Sequence, residues 1–138
     1  MGLKMLFPCE MIVRRVLPAF RAYMVKKLYE EHKIKQIDIA NLLGITQPSV
    51  SLYLSGERGG FEEIFNSKEV KEHLYQLDEI IKKLVDETIS EFEVMKDMCK
   101  LCSTLRKKQA YCKIHGQLDK GREVPCGLCD ECFGNQEL

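Results

Sequence analysis

Residues 34–60 read Ile34-Lys-Gln-Ile-Asp-Ile-Ala-Asn-Leu-Leu-Gly44-Ile-Thr-Gln-Pro-Ser-Val-Ser-Leu-Tyr-Leu-Ser-Gly56-Glu-Arg-Gly-Gly60, a pattern that predicts a helix, a glycine-bearing turn and a second short helix. In the first helix Ile37, Ala40 and Leu43 are expected on the buried face, with Ala40 small enough to let a second helix approach. Gly44 makes the turn and Ile45 fills the space between the helices. Thr46 suits an N-cap, and Pro48 falls in the first turn of the next helix, where a missing N–H is harmless. Val50 and Tyr53 continue the apolar face, and Ser55-Gly56 closes the helix.

A helical hairpin in an ordinary core would use the same apolar positions. It has no need of the small polar residues Gln47, Ser49 and Ser51 at the start of the second helix, where side chains can enter a major groove. The expectation is therefore a DNA-reading unit. Gln47 is placed on a base edge, Ser49 and Ser51 on phosphate or base, and Leu52 against a thymine methyl. Thr46 and Pro48 frame that helix start. Lys35, Gln36 and Arg58, at helix ends or in the following loop, are expected on phosphates.

This segment resembles the helix-turn-helix of the lambda-repressor-like, or XRE-type, transcriptional regulators. Pro8-Cys9-Glu10 and Leu17-Pro18-Ala19 make it most similar to archaeal members of that family. The resemblance covers about residues 6–60. It implies an all-α fold and a double-stranded DNA operator as partner.

Net charge is zero over 138 residues, which conflicts with DNA binding until the chain is divided. Residues 1–60 carry nine Lys and Arg against five acids, residues 61–98 five against eleven, and residues 99–138 seven against five. A basic front suits a phosphate backbone, and an acidic middle should face away from it. The uncharged run Met5–Cys9 is too short for the apolar core of a signal peptide, so the expected location is cytoplasmic, with no membrane partner.

Three domains follow: a DNA-binding domain over 1–60, a helical dimerisation segment over 61–98 and a cysteine-rich metal-binding segment over 99–138. In the first, Ile12, Val16, Phe20, Met24 and Leu28 recur every four residues along a helix that Pro18 should kink or restart. Cys9 is expected to pack there as a small hydrophobe. In the second, Ser67 can cap a helix with Glu69 and Glu72 in its first turns. Leu74, Leu77, Ile81, Leu84, Thr88 and Met95 form a stripe along a stretch too long for a small domain to cover. A homodimer reading two half-sites is the expected use of that stripe.

Six of the seven cysteines lie in the last 40 residues, as Cys99-x2-Cys102, Cys112-x2-His115 and Cys126-x2-Cys129-x2-Cys132. Two residues between ligands let one turn aim both side chains at one ion. Cys99, Cys102, Cys112 and His115 would make a tetrahedral zinc set but leave three thiols over. The Cys-x2-Cys-x2-Cys run favours an iron-sulfur cluster slightly, although the fourth cysteine followed by proline of a bacterial ferredoxin run is absent. Both centres stay open at this point. No phosphate-binding glycine loop and no catalytic triad is visible, so an enzyme is not expected, and a thiol or electron-transfer enzyme is the weakest alternative. The remaining alternative is a regulator that zinc merely staples. The favoured reading is a transcription regulator whose cysteine cluster senses redox state, oxygen or metal.

Overall fold

The structure is a computed structural model that describes residues 7–60, 62–108, 110 and 111. Every element among these is helical. The chain enters through α1 (Pro8–Met11), a π-helical turn (Ile12–Val16) and α2 (Leu17–Glu30), which follow one another without a break. The Leu17 N–H bonds to the Ile12 carbonyl, five residues back. That widened turn is the response to Pro18, whose ring has no N–H to give and would strike a carbonyl of a regular α-helix. The proline is thus absorbed within the rod. Ile12, Val16, Phe20, Met24 and Leu28 are all buried, as their four-residue spacing predicts.

Two shorter helices follow. α3 (Gln36–Leu43) ends at Gly44, whose φ of 64° suits a residue without a Cβ, and α4 (Gln47–Ser55) starts after Thr46. Both pack on α2. The buried face of α3 differs from the expected one: Ile39 and Ala40 are buried and Leu43 is partly so, whereas Ile37 is 55% exposed. The reason is geometric. Positions 37, 40 and 43 span about 120° of the helix and 39, 40 and 43 about 100°, so the period hardly separates them, and the side packed on α2 selects Ile39.

After α4, Gly59 lies against α2, and a 3-10 turn (Glu62–Asn66) buries Ile64 and sets the Phe65 ring 6.1 Å from Phe20 and 5.6 Å from Tyr23. Ser67 caps α5 (Lys68–Val85) by accepting from the Val70 N–H. α5 lies on α2, joined by the Tyr23 hydroxyl donating to Asp78 Oδ1 at 2.7 Å.

The expected long helix is two helices. α5 stops at Val85, Glu87 turns the chain with a φ of 53°, and α6 (Glu91–Lys107) restarts behind a capping box. The Ser90 hydroxyl accepts from the Glu93 N–H while the Glu93 carboxylate accepts from the Ser90 N–H at 2.9 Å. Those backbone and side-chain donors hold the Glu93 carboxyl below its usual range. The helices fold into a hairpin, with Lys83 and Asp97 paired at 3.4 Å. Leu77, Ile81 and Leu84 are therefore buried within the chain, Leu74 is partly so, and Thr88 sits exposed in the turn. The stripe that was expected to face a second copy mostly covers α2 and α6. Residue 98, expected as a boundary, lies inside α6. Among the described residues no helix is long and apolar enough to cross a membrane.

Candidate nucleic-acid interface and cysteine cluster

The start of α4 is built by its cap. Thr46 has an extended backbone, its Oγ1 accepts the Ser49 N–H at 3.2 Å, and the two hydroxyl oxygens lie 2.8 Å apart. Pro48 adds a fixed φ in that turn. Gln47, Pro48 and Ser51 are exposed. Gln47 Nε2 donates to Gln36 Oε1 at 2.8 Å, so the first residues of α3 and α4 present joined amides. Gln47 keeps an acceptor oxygen and a second N–H, the pair that matches the edge of adenine, and Gln36 keeps both N–H donors.

Ser49 and Leu52 are half-buried. The Ser49 Oγ accepts from Arg58 Nη1 at 3.0 Å. Arg58 lies with its guanidinium 5.8 Å from the centre of the Tyr53 ring, an arrangement that aims a cation from the loop back toward the start of α4. Lys35 is exposed just before α3. Gln36, Gln47, Ser49 and Arg58 are thus brought together in two bonded pairs, with Lys35, Ser51 and Leu52 on the same two helices or beside them. Neither bonded pair is legible in the spacing alone, because each partner lies on a different element.

The second site is on α6. Cys99 and Cys102 are one helical turn apart, the first exposed and the second half-buried. Burial pushes the Cys102 thiol up, and the Arg106 guanidinium and the Tyr111 hydroxyl act in the opposite direction. Tyr111 is 3% exposed and its own hydroxyl is pushed up, first by burial and then by Cys102. Among the described residues that buried hydroxyl has no hydrogen-bond partner. Arg106, 9% exposed, donates through Nη1 to the Cys9 sulfur at 3.8 Å.

That contact corrects the expectation for Cys9, which is exposed at the first turn of α1 and not packed in the core. Arg106 and Tyr111 carried no signal in the spacing of cysteines. The only hint was that Arg106 follows Cys102 by one helical turn. The chemistry suits thiolate sulfur at one point: a cationic donor, Arg106, reaches the Cys9 thiol. Among the described residues no three ligand side chains are close enough to enclose an ion. Cys112, His115, Cys126, Cys129 and Cys132 lie outside the described residues.

Compared with known protein families, curated proteins and solved structures, the chain matches none.

Proposed function

We propose that the chain is a cytoplasmic, sequence-specific DNA-binding transcription regulator, with α3 and α4 acting as a lambda-repressor-like helix-turn-helix. The observation that carries this reading is the amide pair of Gln36 and Gln47 at the capped, exposed start of α4. A core hairpin gains little from two bonded glutamines at its surface, whereas a helix entering a major groove gains a side chain held in one orientation. The basic excess of residues 1–60 supplies the phosphate attraction.

The cysteines are proposed to hold an iron-sulfur cluster or zinc, with Cys99 and Cys102 among the ligands. When bound, a cluster supplies a redox-dependent charge and zinc a redox-silent brace. The chain itself contributes the Arg106 guanidinium, which donates to the Cys9 sulfur. The protein acts as a homodimer and not as an enzyme in this reading. The dimer surface shifts from the α5 stripe to α6, where Phe92 is 74% and Met95 63% exposed, three residues apart.

The test is a binding titration with Gln47→Ala on a selected operator and on random duplex. A loss of about 1–3 kcal/mol confined to the operator is expected. Equal loss on both duplexes would remove Gln47 from base reading, and unaltered protein that binds no duplex at low salt would remove the function.

A further inference from the structure

We infer that the rod of α1, the π-helical turn and α2 carries a second phosphate-binding surface, on which Arg14, Arg15 and Arg21 join Arg58 in holding the backbone of duplex DNA. This rests on the proposed DNA binding, and adds to it an element outside the two reading helices α3 and α4.

The fold brings these arginines together. Gly59 packs so closely on α2 that an added Cβ would strike the Pro18 carbonyl oxygen and the Ala22 Cβ. Arg58 is the residue before Gly59, and Arg21 is the residue before Ala22. Arg14 and Arg15 stand four and three residues before Pro18 on the same rod, and Arg21 three residues after it, so all three are helical neighbours of the point where the loop lands. Four of the six arginines of the chain thus flank one contact, and each of the four is exposed. Arg58 also bonds to Ser49 in the first turn of α4, which makes this surface continuous with the start of the reading helix.

The rod supplies these cations with no counter-charge. No Asp or Glu occurs between Glu10 and Glu30. Among the described residues Arg14, Arg15 and Arg21 make neither a hydrogen bond nor an ion pair, whereas Lys27, Lys68 and Lys83 are each paired with a carboxylate. Uncompensated like charges along one rod repel one another, and a row of anions laid across them removes that cost. The guanidinium fork grips a phosphate through two parallel N–H bonds, which an ammonium group cannot do. A face that needs only solvation mixes charges of both signs. A duplex backbone supplies the anions, since its phosphates recur in a row beside any helix that enters the groove.

The experiment is a binding titration of the full chain over a range of salt concentrations, on a selected operator and on random duplex of equal length. Arg14→Gln, Arg15→Gln and Arg21→Gln are made singly and together. Lys71→Gln with Lys82→Gln is the control, removing exposed positive charge from α5 in the acidic middle of the chain. Glutamine is as good a helix former as arginine, so circular dichroism should not change, and the single variants carry the test if the triple variant loses helix. Each arginine removed should flatten the slope of log affinity against log salt by about 0.9. The weakening should be equal on both duplexes, because a phosphate contact carries no base sequence. The lysine control should keep the slope of the unaltered protein.

If the arginine variants keep the full salt slope while Gln47→Ala still loses its preference for the operator, the inference fails and the DNA reading stands. If the lysine control flattens the slope as much for each charge removed, the effect belongs to bulk charge and the inference fails as well. If the unaltered protein binds no duplex at low salt, both fail.

Discussion

Tyr23 shows how one side chain joins two elements and what pH does to the joint. Its hydroxyl donates to Asp78 across the α2–α5 contact, and Lys27 lies 5.5 Å from its ring while pairing with Glu31 at 3.0 Å. Burial, and after it Asp78, pushes the hydroxyl up to about 12. A raised folded-state value means that the protonated form is favoured by folding. The stabilisation is therefore complete below the unfolded value of about 10 and is lost as pH rises through 12. Tyr23→Phe should lower stability by about 1 kcal/mol at neutral pH and abolish the part of the alkaline loss that belongs to this hydroxyl. Urea titrations of both proteins between about pH 8 and about pH 12 measure both effects. Identical curves would mean that solvent replaces the bond.

Gly59 is the other residue whose surroundings set a cost. Its φ is 70°, and an added Cβ would meet the Pro18 carbonyl oxygen and lie 2.7 Å from the Ala22 Cβ. Gly44 also has a positive φ, but open space surrounds it. Gly59→Ala should then cost about 2–4 kcal/mol, from left-handed backbone plus overpacking, against about 1–2 kcal/mol for Gly44→Ala, where only the backbone counts. Thermal melts of the two variants check the order. Reversal would show that α2 yields easily at Pro18. In the sequence, Gly59-Gly60 marks only a change of composition; its role as a contact needs the position of α2.

At the scale of elements, turn chemistry was the part of the sequence that could be read correctly. Gly44, Thr46, Pro48 and Gly56 each meet a local demand of backbone or cap, and each is found where that demand lies. The face of α3 was misread because apolar residues stand at both 37 and 39, and only the direction of α2 selects between them. The break between α5 and α6 was missed for a different reason. The apolar period runs through it, and the signal that opposes the period is the short Ser90-x-x-Glu93 box. Ser90→Ala should remove that cap and cost about 1 kcal/mol, with fraying confined to the start of α6. Hydrogen exchange resolved along the chain should show faster exchange near residues 91–94 and little change in α2. Faster exchange throughout would mean that the hairpin and the α2 core open together.

At the scale of the whole molecule, the hairpin changes what a dimer has to use. A continuous helix would have offered Ile81 and Leu84 to a partner, but both are buried at home. Their replacement by charged residues would unfold a monomer and say nothing about association. Phe92 and Met95 separate the two effects because both are exposed. A Phe92→Glu, Met95→Glu double variant should fold normally, give the mass of one chain by light scattering where the unaltered protein gives two, and bind a paired operator more weakly through loss of effective concentration. A dimer that survives the double variant would place the interface elsewhere. The cysteine cluster was only half legible for a related reason. Cys99-x2-Cys102 is a local spacing, whereas Cys9 meets Arg106 through a fold that brings together residues 97 apart.

That separation also fixes an order of events during synthesis. At ribosomal speeds of about 5–20 residues per second, some 5–20 seconds pass between the addition of Cys9 and that of Arg106. In the later part of that interval, once Ser55 has been added, α2, α3 and α4 are available to collapse on one another, while α1 has no α6 to meet. The nascent chain thus has α2, α3 and α4 before it has the Arg106–Cys9 clasp that joins α1 to α6. The Cys9 thiol meanwhile faces the surrounding thiols and oxidants alone, and anything that caps it in those seconds would prevent the clasp from closing.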